Sequence, residues 1–226
     1  MLYVVCGFVL GFVVPYMARR FAKFSPASPS ESLWRLIAPV KLVAREKRWK
    51  NLQYRELCIN YFWRSFVYGV VTAVVFWLAA KHFHSLGIGG VLLFFWALIL
   101  LTEIDYKTYL LPDVVTVPLL IGGFVFACFW GIWLVAAESA IGAVVGYVLP
   151  VIAGLLMAWK YPGAFGGGDV KLLAAVGAWL GAEGVIYVIL LSCLFFGVFY
   201  YITKKRVGAF GPAISLATIM VAFLIF

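Results

Sequence analysis

Apolar runs long enough to cross a lipid bilayer recur through this chain, joined by short polar connections. A bilayer core of about 30 Å takes roughly 17–25 helical residues. Runs of that order occupy about 2–17, 65–81, 88–103, 113–134, 138–159, 170–182, 184–202 and 209–226; the first, third and sixth are short. Hydrophobic residues make up 65% of the chain and charged residues 12%, against about 45–50% and about 25% in soluble domains. The pattern predicts an all-α, polytopic membrane helical bundle of about eight transmembrane segments. The first run lacks a basic start and an Ala-x-Ala-like end, and its basic residues follow it, so it reads as an anchor and not a cleaved signal.

The net charge of +9 does not point to nucleic acid, because the basic residues are confined to particular loops. Eleven of the 18 Lys and Arg fall between Arg19 and Arg64, and Lys107, Lys160, Lys171 and Lys204-Lys205-Arg206 occupy three further connections. The intervening turns carry only Lys81, Glu138 and Glu183. Basic loops stay on the cytoplasmic side, so eight spans place both termini on the non-cytoplasmic side. The connections 104–112 and 160–169 then share the cytoplasmic face.

Two parts follow: residues 1–64, an anchor helix with a basic cytoplasmic loop, and residues 65–226, a membrane-embedded core. The loop is too small for a soluble core of its own. Within it, Leu33, Trp34, Leu36, Ile37, Val40, Leu42 and Val43 alternate with Arg35, Lys41 and Arg45, interrupted at Pro39. This is either an amphipathic stretch lying on anionic membrane lipid or a solvated basic loop that sets topology. Gly142-x-x-x-Gly146 fits close helix packing. Of four cysteines, Cys6, Cys128 and Cys193 lie within spans and only Cys58 lies near water; no Cys-x-x-Cys pair exists to hold zinc.

Against this background two aspartates at the ends of apolar runs stand out, since a charge placed in lipid costs at least a few kcal/mol. Asp105 closes the run from Gly90, and Asp169 follows Gly166-Gly167-Gly168 and opens the next run. Two carboxyls sharing a site hold a proton between them, which is acid–base equipment. Each also has a simpler reading: Asp105 as a solvated aspartate paired with Lys107, Asp169 as a helix cap. Pro112 and Asp113 fit the start of the next helix, with Asp113 near its positive end. Consecutive glycines before Asp169 let another chain approach closely, and no Gly-Lys-Ser/Thr follows to make a phosphate loop. Glu103 faces either the site or a neighbouring helix, and His82 and His84 fall on the opposite membrane face.

The segments Ile104-Asp105-Tyr106-Lys107-Thr108-Tyr109-Leu110-Leu111-Pro112-Asp113 and Gly166-Gly167-Gly168-Asp169-Val170-Lys171-Leu172-Leu173 together resemble the bacterial prepilin peptidases, or type IV leader peptidases. These are Gly-x-Gly-Asp membrane aspartyl proteases. Phe210-Gly211-Pro212 is similar to the opening of the family's last span, and the likeness covers about residues 85–226. It implies an aspartyl endopeptidase of the bacterial cytoplasmic membrane, with Asp105 and Asp169 catalytic. Gly166, Gly167, Gly168, Lys171, Pro112 and Asp113 would shape the site and receive the substrate. That substrate would be a prepilin or pseudopilin with a short basic leader and an apolar helix. No metal or organic cofactor is implied. Many members carry two Cys-x-x-Cys pairs in the first cytoplasmic loop, in a region linked to methylating the new pilin N-terminus. Residues 18–57 contain no cysteine, so methyl transfer is in doubt. A presenilin-like protease cutting within lipid and a proton-coupled transporter are the alternatives, the latter disfavoured by carboxyls at one face rather than mid-span.

The topology is testable by single-cysteine labelling from each side of the membrane. Positions 107, 164 and 205 should react from the cytoplasmic side and 83 and 137 from the other. Opposite labelling of 107 and 164 would separate the aspartates and end any joint mechanism.

Overall fold

The structure, a computed structural model, describes residues 1–22, 52–83, 87–131, 134–158, 166–204 and 208–226. The amphipathic stretch around 33–45 and the connection 160–165 lie outside the described residues. No strand occurs among the described residues, and the chain is an all-α polytopic membrane bundle. That outcome follows from lipid offering no hydrogen bonds to the backbone, so a spanning segment must satisfy its own N–H and C=O groups.

The helices are α1 (Leu2–Ala22), α2 (Leu52–His82), α3 (Ile88–Thr108), α4 (Asp113–Phe129), α5 (Ala136–Ala158), α6 (Gly167–Thr203) and α7 (Gly211–Ile225). All but α4 and α7 are long and apolar enough to cross a bilayer; those two are shorter. The chain divides into two compact units, Met1–Leu78 and Ala79–Phe226. Helix α2 starts at Leu52, well before the apolar run at 65, because a helix needs no apolar face where it leaves the membrane. Its apolar span begins at Asn60.

In the first unit α1 and α2 run antiparallel. Gly7 lies against Ala73 and Phe76, and Gly11 against Tyr68 and Thr72. Further along, Phe12 meets Phe62 edge-on and the Arg19 guanidinium stands over Tyr61 at 5.1 Å.

The second unit is organised around α3 and α6. Helix α3 is buried on nearly every side, including Leu98, Leu101 and Ile104, as expected of a helix apolar all round. Helix α6 breaks at Gly181, where φ is 75° and ψ −179°. Glycine alone takes that conformation without strain, and a Cβ there would also meet the Leu134 side chain at 2.8 Å. The chain doubles back at this break. Before it, Asp169 lies near Asp105 of α3. After it, Phe196 packs on Phe210, centroids 5.3 Å apart, and Phe199 and Ile202 share a cleft with Tyr106 and Tyr109. Both arms of α6 thus begin or end beside the end of α3, corresponding to the two runs 170–182 and 184–202 in the sequence.

The first arm is wedged between neighbours. Trp179 stacks on Phe94 at 4.6 Å and on Phe126 at 5.1 Å, and its indole N–H donates to the Leu119 carbonyl at 2.8 Å. One side chain therefore joins α3, α4 and α6. On its other side Gly142 of α5 touches the backbone at Gly177 and Gly181, and Gly146 touches Leu173. The Ser139 hydroxyl donates to the Ala178 carbonyl at 2.7 Å, buried. Small residues at such contacts let helix backbones meet, which is how packing is gained where lipid is as apolar as leucine. Helix α7 lies on α3, with Ser215 donating to the Leu98 carbonyl at 3.2 Å and Phe223 stacked on Phe95.

A side chain at Gly177 would collide with the Gly142 backbone. Gly177→Val should lower stability by about 1–3 kcal/mol or more. Gly89→Ala, exposed and with open space around its Cβ, should leave it unchanged or raised. Unfolding in detergent followed by tryptophan fluorescence distinguishes them.

Candidate active site

Asp105 lies in the last turn of α3 and is 4% exposed. Its Oδ2 accepts a buried hydrogen bond of 2.8 Å from the backbone N–H of Gly211, the first residue of α7. The opening N–H groups of a helix have no partner within it and carry its positive end, so α7 directs its free donor at the carboxylate. A Cβ on Gly211 would lie 2.7 Å from the same oxygen, so any side chain there would force the carboxylate to shift.

Asp169 is the third residue of α6 and is half-buried. Gly166 is the helix N-cap, and the Asp169 carboxylate turns back to accept from its backbone N–H. This is the reach-back of a capping box made without a capping side chain, so Asp169 is not itself the N-cap. Its carboxylate interacts electrostatically with that of Asp105. Residues 64 apart (169 − 105) in the chain therefore meet at one end of the bundle.

The connection between α3 and α4 closes one side. Tyr109 turns left-handed (φ 54°) and its N–H donates to the Asp105 carbonyl at 2.8 Å. The Thr108 hydroxyl bonds both to the Ile104 carbonyl and to residue 110. Leu111 then packs on Gly168, where a Cβ would come within 2.9 Å of the Leu111 Cβ. Gly168 thus serves this connection, whereas Gly166 and Gly167 are exposed, with nothing within 4 Å of a Cβ on Gly167. Pro112 is the N-cap of α4 and Asp113 its first residue.

Both nearby lysines are taken by other acids. Lys107 lies 2.6 Å from Glu103, which is fully buried, and not on Asp105. Lys171 bonds both oxygens of Asp113 at 2.7 Å, joining the starts of α4 and α6. Asp113 and Lys171 therefore brace the site from its rim, 56% and 44% exposed. Among the described residues no ammonium or guanidinium is paired with Asp105 or Asp169. Two carboxyls that interact without a cation can hold and pass a proton.

Gly211 is the site residue that side-chain reasoning missed, since a backbone donor leaves no signature of its own. The Phe210-Gly211-Pro212 triplet was its only trace.

Residues 92–202 match the type IV leader peptidase family model. Over that segment the chain is similar to the type IV leader peptidases. It contains Asp105, the Gly166–Asp169 turn and both arms of α6, and stops short of Gly211. Curated relatives are named prepilin leader peptidase/N-methyltransferase. The one from Aeromonas salmonicida is 39% identical over 136 residues, 56% of this chain and 46% of the relative. The one from Dichelobacter nodosus is 36% identical over 154 residues, 66% and 53% respectively. The one from Escherichia coli K12 is 29% identical over 184 residues, 75% and 80%. The chain thus spans about half the length of the first two. No solved structure matches the chain significantly.

Gly211→Ala keeps the N–H donor but forces the Asp105 carboxyl aside. It should cut turnover by about 10²-fold, the scale of an ångström-sized misplacement, with substrate binding little changed. Comparing kcat and KM checks it.

Proposed function

We propose that the chain is an aspartyl endopeptidase that removes the leader peptide of a prepilin or pseudopilin at the cytoplasmic face of the bacterial cytoplasmic membrane. The observation that carries this reading is the meeting of Asp105 and Asp169 at one end of the bundle, inside the segment matched by the family. On this reading the core from residue 65 performs the chemistry, with both termini on the non-cytoplasmic side, and residues 1–64 anchor the chain and contact anionic lipid.

The reaction uses a water molecule and the two carboxyls. One aspartate, ionised, takes a proton from water as the oxygen attacks the scissile carbonyl carbon. The other, protonated, gives its proton to the carbonyl oxygen. The tetrahedral diol then collapses: the first carboxyl passes its proton to the departing amine, and the second recovers one from a diol hydroxyl. The pair titrates as a unit, so neither role is tied to one residue at rest. The Gly211 N–H holds Asp105 in place through the cycle. Lys107 and Lys171, held by Glu103 and Asp113, do not neutralise either carboxyl. The exposed edge at Gly166 and Gly167 admits an extended substrate strand.

Asp105→Asn and Asp169→Asn should each abolish cleavage of a membrane-embedded prepilin while the protein stays inserted and abundant. The double variant should be no worse than either single, because residues acting as a unit are not additive. Asp113→Asn loses an exposed ion pair worth about 0–1 kcal/mol and should retain most activity. Sequencing the products also separates cutting at the leader boundary from cutting deeper in the apolar helix. Substantial cleavage by either single variant rejects the carboxyl pair.

The curated relatives also carry N-methyltransferase in their names. The four thiolates of the zinc knuckle are missing from residues 18–57 here, and metal binding supplies much of the folding energy of such small modules. The purified protein should contain no stoichiometric zinc, and chelators should leave cleavage intact. Given S-adenosylmethionine and prepilin, it should release a pilin with a free amine. Mass spectrometry decides, a gain of one methyl group overturning the expectation.

A further inference from the structure

Beside the carboxyl pair lies a cleft of about 580 Å³. Its walls are Tyr106 and Tyr109 at the end of α3, Phe196 and Phe199 from the second arm of α6, and Pro212 and Ala213 from α7. Two of its lining residues are chain neighbours of the site. Tyr106 follows Asp105, and Pro212 follows Gly211, whose N–H holds the Asp105 carboxylate. Its surface is aromatic and aliphatic, and its volume lies within the roughly 300–1,000 Å³ of small-ligand sites. That is room for a few side chains, not for a whole helix.

The surroundings of Asp169 differ in kind. There the exposed Gly166 and Gly167 and the solvated Lys171–Asp113 ion pair make a polar edge. Polar surface therefore adjoins Asp169, whereas the apolar cleft is walled by the chain neighbours of Asp105 and Gly211. We propose that this cleft is the subsite for the apolar residues immediately following the scissile bond, and that Phe199 and Ala213 set which side chains it accepts. The assignment rests on the protease reading above. A lipid acyl chain would suit the same lining, but it gives no reason for the cleft to be walled by the chain neighbours of Asp105 and Gly211.

The test varies the cleft and the substrate together. Ala213→Trp fills the cleft, and Phe199→Ala enlarges it. Each is assayed in lipid vesicles against prepilins carrying alanine, leucine or phenylalanine just after the cleavage point. Ala213→Trp should raise KM about tenfold or more for phenylalanine and much less for alanine, the scale on which a pocket discriminates a few methylenes. Phe199→Ala should shift preference the opposite way, and it decides the matter alone if the tryptophan variant fails to fold. Independently, a photo-reactive benzoylphenylalanine at position 199 in the Asp169→Asn background should crosslink to the substrate's apolar residues. Wild-type discrimination in the folded variants, or crosslinking only to lipid, overturns the subsite while leaving the protease reading intact. Failure of the unaltered protein to cleave any prepilin rejects that reading itself.

Discussion

Burying a carboxylate away from any cation costs several kcal/mol unless the protein replaces the water it loses. Asp105 is in that position, and a backbone N–H at the tip of α7 answers it. Bringing Gly211 to the carboxylate obliges the rest of the second unit to hold α7 in place. Phe210 lodges on Phe196, Ser215 bonds to Leu98, and Phe223 stacks on Phe95. The second arm of α6 is thereby committed as well, since Phe196 lies on it. The first arm meets a parallel demand: its opening turn carries Asp169, and its depth is fixed by Trp179 and by the backbone contact of Gly142 with Gly177. Two helices thus present their N-terminal ends where two negative charges gather, the placement that a helix dipole favours.

The lysines show how the pair is kept short of positive charge. On the proposed chemistry a cation within reach would replace a shared proton by an ion pair, and an ion-paired carboxylate is a poor proton carrier. Lys107 is held one helical turn back on Glu103, and Lys171 reaches across to Asp113. The Lys171 pair is solvated, so its stabilising worth is small. Its consequence is positional, tying the start of α4 to the start of α6 while keeping its ammonium occupied.

What could be read from the sequence was whatever lipid makes costly. Apolar runs marked the helices, and charges at their ends marked Asp105 and Asp169. The break at Gly181 left a nearby trace, Glu183 between the runs 170–182 and 184–202. Helix beyond the apolar stretch, as at Leu52, was not legible, because outside lipid polar residues carry no hydropathy signal. Contacts between distant residues were equally silent. Nothing near Asp113 names Lys171 as its partner 58 positions on, and nothing near Asp105 names a backbone N–H of Gly211. The glycines before Asp169 read as one flexible unit, yet they divide: Gly168 receives Leu111, and only Gly166 and Gly167 stay open. Such division depends on tertiary packing, which local composition does not encode.

On the proposed chemistry, hydrolysis beside a membrane needs water at the carboxyls and an apolar lodging for the part of the substrate that stays in lipid. The two aspartates differ in a way that suits those two demands. Asp105 is shielded, held by a peptide donor that lipid and solvent do not disturb. Asp169 is half-buried next to exposed glycine backbone, the more accessible of the two carboxyls. Tyr106 and Tyr109 are 58% and 60% exposed at the mouth of the apolar cleft, and tyrosine suits a boundary where one end of a side chain is dry and the other wet. On the proposed chemistry this asymmetry also orients the substrate. A polar segment entering over Gly166 and Gly167 and an apolar segment leaving past Tyr106 can cross the carboxyls in one direction only. The reversed strand would leave polar groups in the cleft without partners, at a cost of about 1–3 kcal/mol for each.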